Sequence, residues 1–165
     1  MLRRGRSKIS GGSSPDTIFD GLRSRALGAV AQGLSDPTPD HPDVSGIVVD
    51  IPADGGFATV VGLTDNTTSL YTSTGGGTIG AGEHPAVAAL THQTLAVVQA
   101  HLGLFRQRDD GALPPPGSVR LHVLTPSGGR TADVSDESFW GAPSELMPVI
   151  ASVQSLITAI REAGQ

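Results

Sequence analysis

The chain has 165 residues and no cysteine, which removes disulfides, thiolate zinc sites and thiol nucleophiles together. Aromatics are scarce, with four Phe, one Tyr and one Trp, and Lys8 is the single lysine. No apolar run approaches the ~20 residues that a membrane helix needs. The longest useful runs are Ile47 to Val49 and Leu95 to Val98, so no membrane contact is expected. Charged residues make up only 16% and apolar residues 38% of the chain, both low for a globular protein. Glycine and proline are plentiful instead, at 22 and 12 residues. That fraction stays below the ~25–30% associated with low-complexity disorder, and the apolar residues are clustered, which implies a folded core. The length suits one domain rather than two.

The formal charge of -5 is unevenly placed: Arg3, Arg4, Arg6 and Lys8 lie in the first nine residues, leaving 7 basic against 16 acidic residues, a net of -9, on the remainder. Such an acidic body excludes a phosphate-binding face of the kind nucleic-acid proteins use. The basic tip reads as a flexible tail over residues 1–14. Arg3-Arg4 is not followed by the apolar segment of a twin-arginine export signal, so a cytoplasmic location is expected. The arginine-heavy basic set, with abundant Ala and Gly, matches the codon bias of GC-rich bacterial genomes.

Ser14-Pro15-Asp16 has the chemistry of a helix start, and Phe19, Leu22, Ala26, Ala29 or Val30 and Leu34 continue a stripe that leaves Arg23 and Arg25 in water. Three prolines and three acids make 36–44 an exposed linker. Ile47 to Ile51 and Phe57 to Leu63 flank a turn at Pro52-Ala53-Asp54-Gly55-Gly56 and should pair antiparallel, with Thr68 to Ser73 as a third strand. Helical periodicity runs from Pro85 through Val87, Leu95, Val98 and Leu102 to Phe105. A second exposed linker covers 106–118, around Pro114-Pro115-Pro116. Val119 to Val123 and Arg130 to Val134 form a second hairpin, and Leu146, Val149, Ile150, Val153, Leu156, Ile157 and Ile160 mark the last helix.

The expected architecture is therefore a single α+β domain over 15–165, with a mostly antiparallel five-stranded sheet packed by two or three helices in the order α-β-β-β-α-β-β-α. This order resembles the profilin-like layout of roadblock and longin regulatory modules. Roadblock domains differ in placing two strands before the central helix and three after it. The resemblance is one of fold and carries no function.

One segment is chemically unusual. Ser73-Thr74-Gly75-Gly76-Gly77-Thr78-Ile79-Gly80-Ala81-Gly82-Glu83-His84 has five glycines in eight positions between a strand and a helix. Gly75, Gly77 and Gly80 fit G-x-G-x-x-G, but Pro85 starts the helix too late and no acid follows at the distance a ribose requires. Ala81-Gly82 stands where a phosphate loop needs Lys and Ser or Thr. What remains is an anion nest of backbone amides beside a helix start, with Thr74, Gly75, Gly76, Gly77, Gly80, Gly82, Glu83 and His84 as candidate ligand-binding residues. The competing readings are a tight structural turn and a free hinge, and the Glu83 carboxylate itself stands where an anion would otherwise bind. The block from Leu70 to His84 resembles one carried by small uncharacterised bacterial proteins, a resemblance that implies no activity.

A hydrolase would draw on Ser73 or Thr74, His84, and Asp65 or Glu83, but no nucleophile elbow is present. Ser73, Glu83 and His84 are kept as its candidate groups. The five histidines share no helical face, so no metal and no cofactor is expected. Trp140 is expected to cover one end of the core. The function that fits is a non-catalytic binding, scaffold or regulatory module acting through a protein partner or self-association. The alternative is a ligand sensor or small hydrolase at the glycine loop.

Overall fold

The computed structural model describes residues 14–165. The tail expected over 1–14 lies, apart from Ser14, outside the described residues. Ser14 is the N-cap of α1 (Pro15–Leu27): its hydroxyl accepts the Thr17 N–H, Pro15 needs no partner for a missing N–H, and Asp16 faces the helix dipole. The helix stops seven residues short of Leu34. Its stripe continues Gly-rich, and turns through Gly28 to a left-handed Gly33 replace further helix.

β1 (Gly46–Ala53) and β2 (Gly56–Leu63) form the expected hairpin, closed at Ala53↔Gly56 and running to Gly46↔Leu63. β3 (Thr68–Thr72) pairs with β2, and β4 (Gly77–Thr78) adds a two-residue edge to β3. α2 (Pro85–Ala100) crosses the sheet, ending before Phe105, which follows a 3-10 turn. β5 (Arg106–Gln107) is the opposite edge, β6 (Ser118–Thr125) pairs with β1, and β7 (Gly128–Ser135) lies between β6 and β5. α3 (Asp136–Phe139) and α4 (Met147–Ala163) complete the chain.

The result is one antiparallel sheet of the α+β class in the order β4-β3-β2-β1-β6-β7-β5. It has seven strands rather than five, and four helices rather than two or three. Both extra strands have two residues and sit at the edges, so neither makes a β-forming run in the sequence. Short edges also limit edge-to-edge association.

Alternation along β1 and β6 divides the sheet into two chemical faces. Ile47, Val49, Ile51, Val119, Leu121 and Val123 meet α2 and α4 and form the main core with Leu95, Val98, Val153, Leu156 and Ile160. The opposite face carries a smaller cluster of Val48, Val61, Leu63, Tyr71 and Leu124 beneath Phe19 and Ala26 of α1. That face also holds charged residues.

The two expected linkers differ from simple solvated loops. In 36–44, His41 and Val44 are buried, and the Asp43 backbone and side chain bond the Gln99 amide on α2. Proline prevents regular structure there but not docking. In 106–118, Arg106 and Gln107 join the sheet and Pro114 is buried, while most other positions are exposed.

Leu156 has no exposed surface and lies between α4 and the sheet. Leu156→Ala should lower stability by about 2–5 kcal/mol in urea denaturation, through lost apolar burial plus the cavity left behind.

Candidate functional site

The glycine segment divides into two turns. Thr72 N–H donates to the Gly76 carbonyl, Gly75 N–H to the Thr72 carbonyl, and the Thr72 hydroxyl to the Gly75 carbonyl, closing the β3–β4 hairpin. Gly75, Gly76 and Gly77 all have positive φ. A Cβ on Gly77 would overlap the Leu70 carbonyl oxygen, so the strand crossing there requires glycine. Further on, Gly80 opens a 3-10 turn in which Glu83 N–H and His84 N–H donate to Gly80 and Ala81. A Cβ on Gly82 would overlap the Asn66 carbonyl. The backbone donors of Gly75, Glu83 and His84 thus serve separate local turns.

The candidate catalytic groups are held apart. Ser73 sits by the β1–β2 turn, where its hydroxyl accepts the Phe57 N–H at 2.9 Å. Gly82, just before Glu83 and His84, packs against Asn66 and Thr68 at the other end of β3, about 13 Å along an extended strand. Asp65 accepts the Thr67 N–H in a local turn. Thr74, Glu83 and His84 are exposed, and among the described residues no hydrogen bond links Ser73, Glu83 and His84.

The concentrated chemistry lies on the α1 face. Strand register aligns Tyr71, Thr59, Asp50, Arg120 and Asp133 in one row across β3, β2, β1, β6 and β7. Asp50 is fully buried. Its Oδ1 accepts from Arg23 Nε (3.0 Å) and the Thr59 hydroxyl (2.8 Å), and its Oδ2 from Arg23 Nη2 (2.7 Å) and His122 Nε2 (2.8 Å). Burial alone would raise the Asp50 pKa, but the bonds from His122 and Arg23 outweigh it and hold the carboxyl below its ordinary range. The carboxylate is therefore an acceptor, and His122 presents Nε2–H to it. Arg23 Nη2 and His122 Nε2, 3.4 Å apart, are two donors sharing one acceptor.

Arg23 corrects the expectation that it stays in water, since its side chain is only 11% exposed. The signal was present: Phe19, Arg23 and Ala26 share a helical stripe, and Asp50, Arg120 and His122 occupy alternate positions in otherwise apolar central strands. Beside Asp50, Arg120 pairs with Asp133 through Nε and Nη2 and donates from Nη1 to the Ala112 and Leu113 carbonyls. Burial pushes the Tyr71 phenol pKa up, with the Asp50 charge adding to it. The Tyr71 hydroxyl is buried without a hydrogen-bond partner among the described residues.

Depressions flank α1 on both sides. Towards β3 and β4, two of ≈ 290 and ≈ 250 Å³ share Leu22, Tyr71 and Ile79 and together make a groove that reaches Gly75–Gly77 at one end and Leu34 at the other. Its rims expose Ile18 (51%) and Ile79 (61%). Towards β6, a cleft of ≈ 290 Å³ lies between Leu27, Val30 and Ala31 on one wall and 108–111 on the other, with His122 and Leu124 lining it. The glycine residues 75–77 thus belong to a groove, whereas Glu83 and His84 do not line it.

Two further placements depart from expectation. His41 Nε2 lies 3.3 Å from His92 Nδ1 with the rings stacked, and His92 Nε2 is 2.7 Å from the Asn66 amide oxygen. The 36–44 segment therefore docks through histidines that sequence spacing kept apart. Trp140 is 59% exposed, with its indole N–H on Asp136, and Phe139 takes the buried place. Among the described residues no helix is long and apolar enough to cross a membrane.

In comparisons with known proteins, the chain matches no family model, no curated protein and no solved structure.

Two substitutions test this geometry. Gly82→Ala should lower stability by about 1–3 kcal/mol, because the added methyl forces the Asn66 turn outward. Asp50→Asn should cost about 3–5 kcal/mol at pH 7 by leaving Arg23 without its counter-charge. Since the folded pKa of Asp50 is lowered, its contribution is present above the ordinary value of 3.8 and is lost as pH falls through the folded value. The deficit of Asp50→Asn, followed by urea denaturation, should accordingly shrink below about pH 4.

Proposed function

We propose that this protein is a non-catalytic binding module of a bacterial cytoplasmic system, and that it holds an apolar segment of a protein partner in the groove between α1 and the β3–β4 hairpin. One observation carries the reading: Ile18 and Ile79 stand exposed on opposite rims of a depression floored by Tyr71 and closed at one end by Gly75–Gly77. Large apolar side chains gathered around one concavity are the usual mark of a contact surface. The glycine turn supports it by bringing backbone close to the groove without side chains in the way.

Charge selects the partner's chemistry. Asp16, Asp20 and Asp65 lie around the groove or on α1, Arg25 is its near cation, and the chain beyond residue 9 carries the net -9. An apolar segment flanked by basic residues complements that surface. Catalysis at the glycine loop is the weaker alternative, because Ser73 is engaged with β2 and lies at the far end of β3 from Glu83 and His84.

The test places a photo-crosslinking amino acid at Ile79 in the native cell and identifies the adduct by mass spectrometry. The expected result is a discrete protein adduct, another protein or a second copy of this chain, that disappears with Ile18→Asp while the melting temperature of that variant is unchanged. A chain that forms no adduct, or the same adduct after Ile18→Asp, would overturn the reading.

A further inference from the structure

On the other flank of α1, we infer that the cleft beside His122 is a second, small-molecule site, which takes a compact and mainly apolar ligand ending in a hydroxyl or N–H donor. This site is independent of the groove that faces β3 and β4.

The floor of the cleft has a defined hydrogen-bonding polarity. His122 pairs across the strands with Thr131 and lies one row from Asp50, so its ring is fixed between β1 and β7. Asp50 Oδ2 takes the Nε2–H at 2.8 Å. In the neutral ring that bond leaves Nδ1 as a lone-pair acceptor. Nδ1 has no hydrogen-bond partner among the described residues, and the ring lines the cleft. A group entering the cleft therefore meets an acceptor whose tautomer is already chosen.

The lining carries one residue of each sign, Arg108 and Asp109, a balance that favours a neutral ligand. Arg23 already matches the single charge of Asp50 through two bonds. A hydroxyl or N–H donor satisfies Nδ1 with no change in charge. The walls fit this chemistry: Leu27, Val30, Leu124 and Pro126 are apolar, and the volume of ≈ 290 Å³ is at the small end for ligand pockets. Arg108 and Asp110, paired at 2.9 Å, stand in solvent by the mouth.

Phenol and anisole make a direct test. Both carry a six-membered aromatic body, but only phenol can donate. Long-range 15N–1H spectra of the full chain should show His122 as the Nε2–H tautomer, and phenol should shift its Nδ1 resonance. Anisole should bind at least tenfold more weakly. Ala31→Trp, at an exposed position on the cleft wall, should abolish phenol binding without lowering the melting temperature. An Nδ1–H tautomer, no phenol binding up to its solubility, equal affinity for the two probes, or phenol binding that survives Ala31→Trp would each overturn the proposal.

Discussion

The carboxylate of Asp50, buried in the central strand, is the constraint around which the α1 face is arranged. A charge in that position needs donors on every lone pair, and it receives four bonds from three elements: Arg23 of α1, Thr59 of β2 and His122 of β6. Removing any of these partners leaves charge or polarity exposed to a medium that solvates it poorly. The network therefore specifies where α1 lies on the sheet. The apolar contacts of that helix, Phe19 edge-on to Tyr71 at 5.7 Å with Leu22, Ala26 and Leu27 beside it, surround this polar anchor.

Seating α1 through Arg23 and a narrow apolar stripe has a geometric consequence. The helix covers the middle of the face and leaves depressions along both flanks, one walled by the β3–β4 hairpin and one by β6 with 108–111. The opposite face shows the contrast. There α2 and α4 bury a continuous aliphatic layer, and the chemistry is confined to packing. Function is thus expected on the side where the sheet is polar and incompletely covered, the usual division between a stabilising face and a recognition face.

The glycine segment is explained mainly by close backbone approach. Gly77 passes against Leu70 and Gly82 against Asn66, so two of the glycines are required by a narrow two-residue edge strand and by the packing of the turn that precedes α2. Gly75 and Gly76 remain in the exposed part of the hairpin, beside Pro15 of α1, where they end the groove. The segment that looks most like a ligand loop in sequence supplies two close backbone approaches and one end of a surface groove.

Local chemistry in the sequence determined the elements. The Ser14-Pro15 start, the Asp54-Gly55 turn, the alternation of Val119 to Val123 and the stripe from Leu146 to Ile160 each act over a few residues, and the three longer helices and five main strands followed from them. The antiparallel α+β class followed as well. The two edge strands did not, because a two-residue pairing depends on the neighbour rather than on its own side chains. Nor did the polar row: Asp50, Arg120 and His122 read as solvent-facing positions until α1 and 108–117 cover them, and Arg23 reads as a surface cation until it meets Asp50, 27 residues away. The same holds for His41 on His92, 51 residues apart. Periodicity assigns a side chain to a face of its own element. Which other element closes over that face is decided by long-range packing, and the candidate sites lie where that closure is partial.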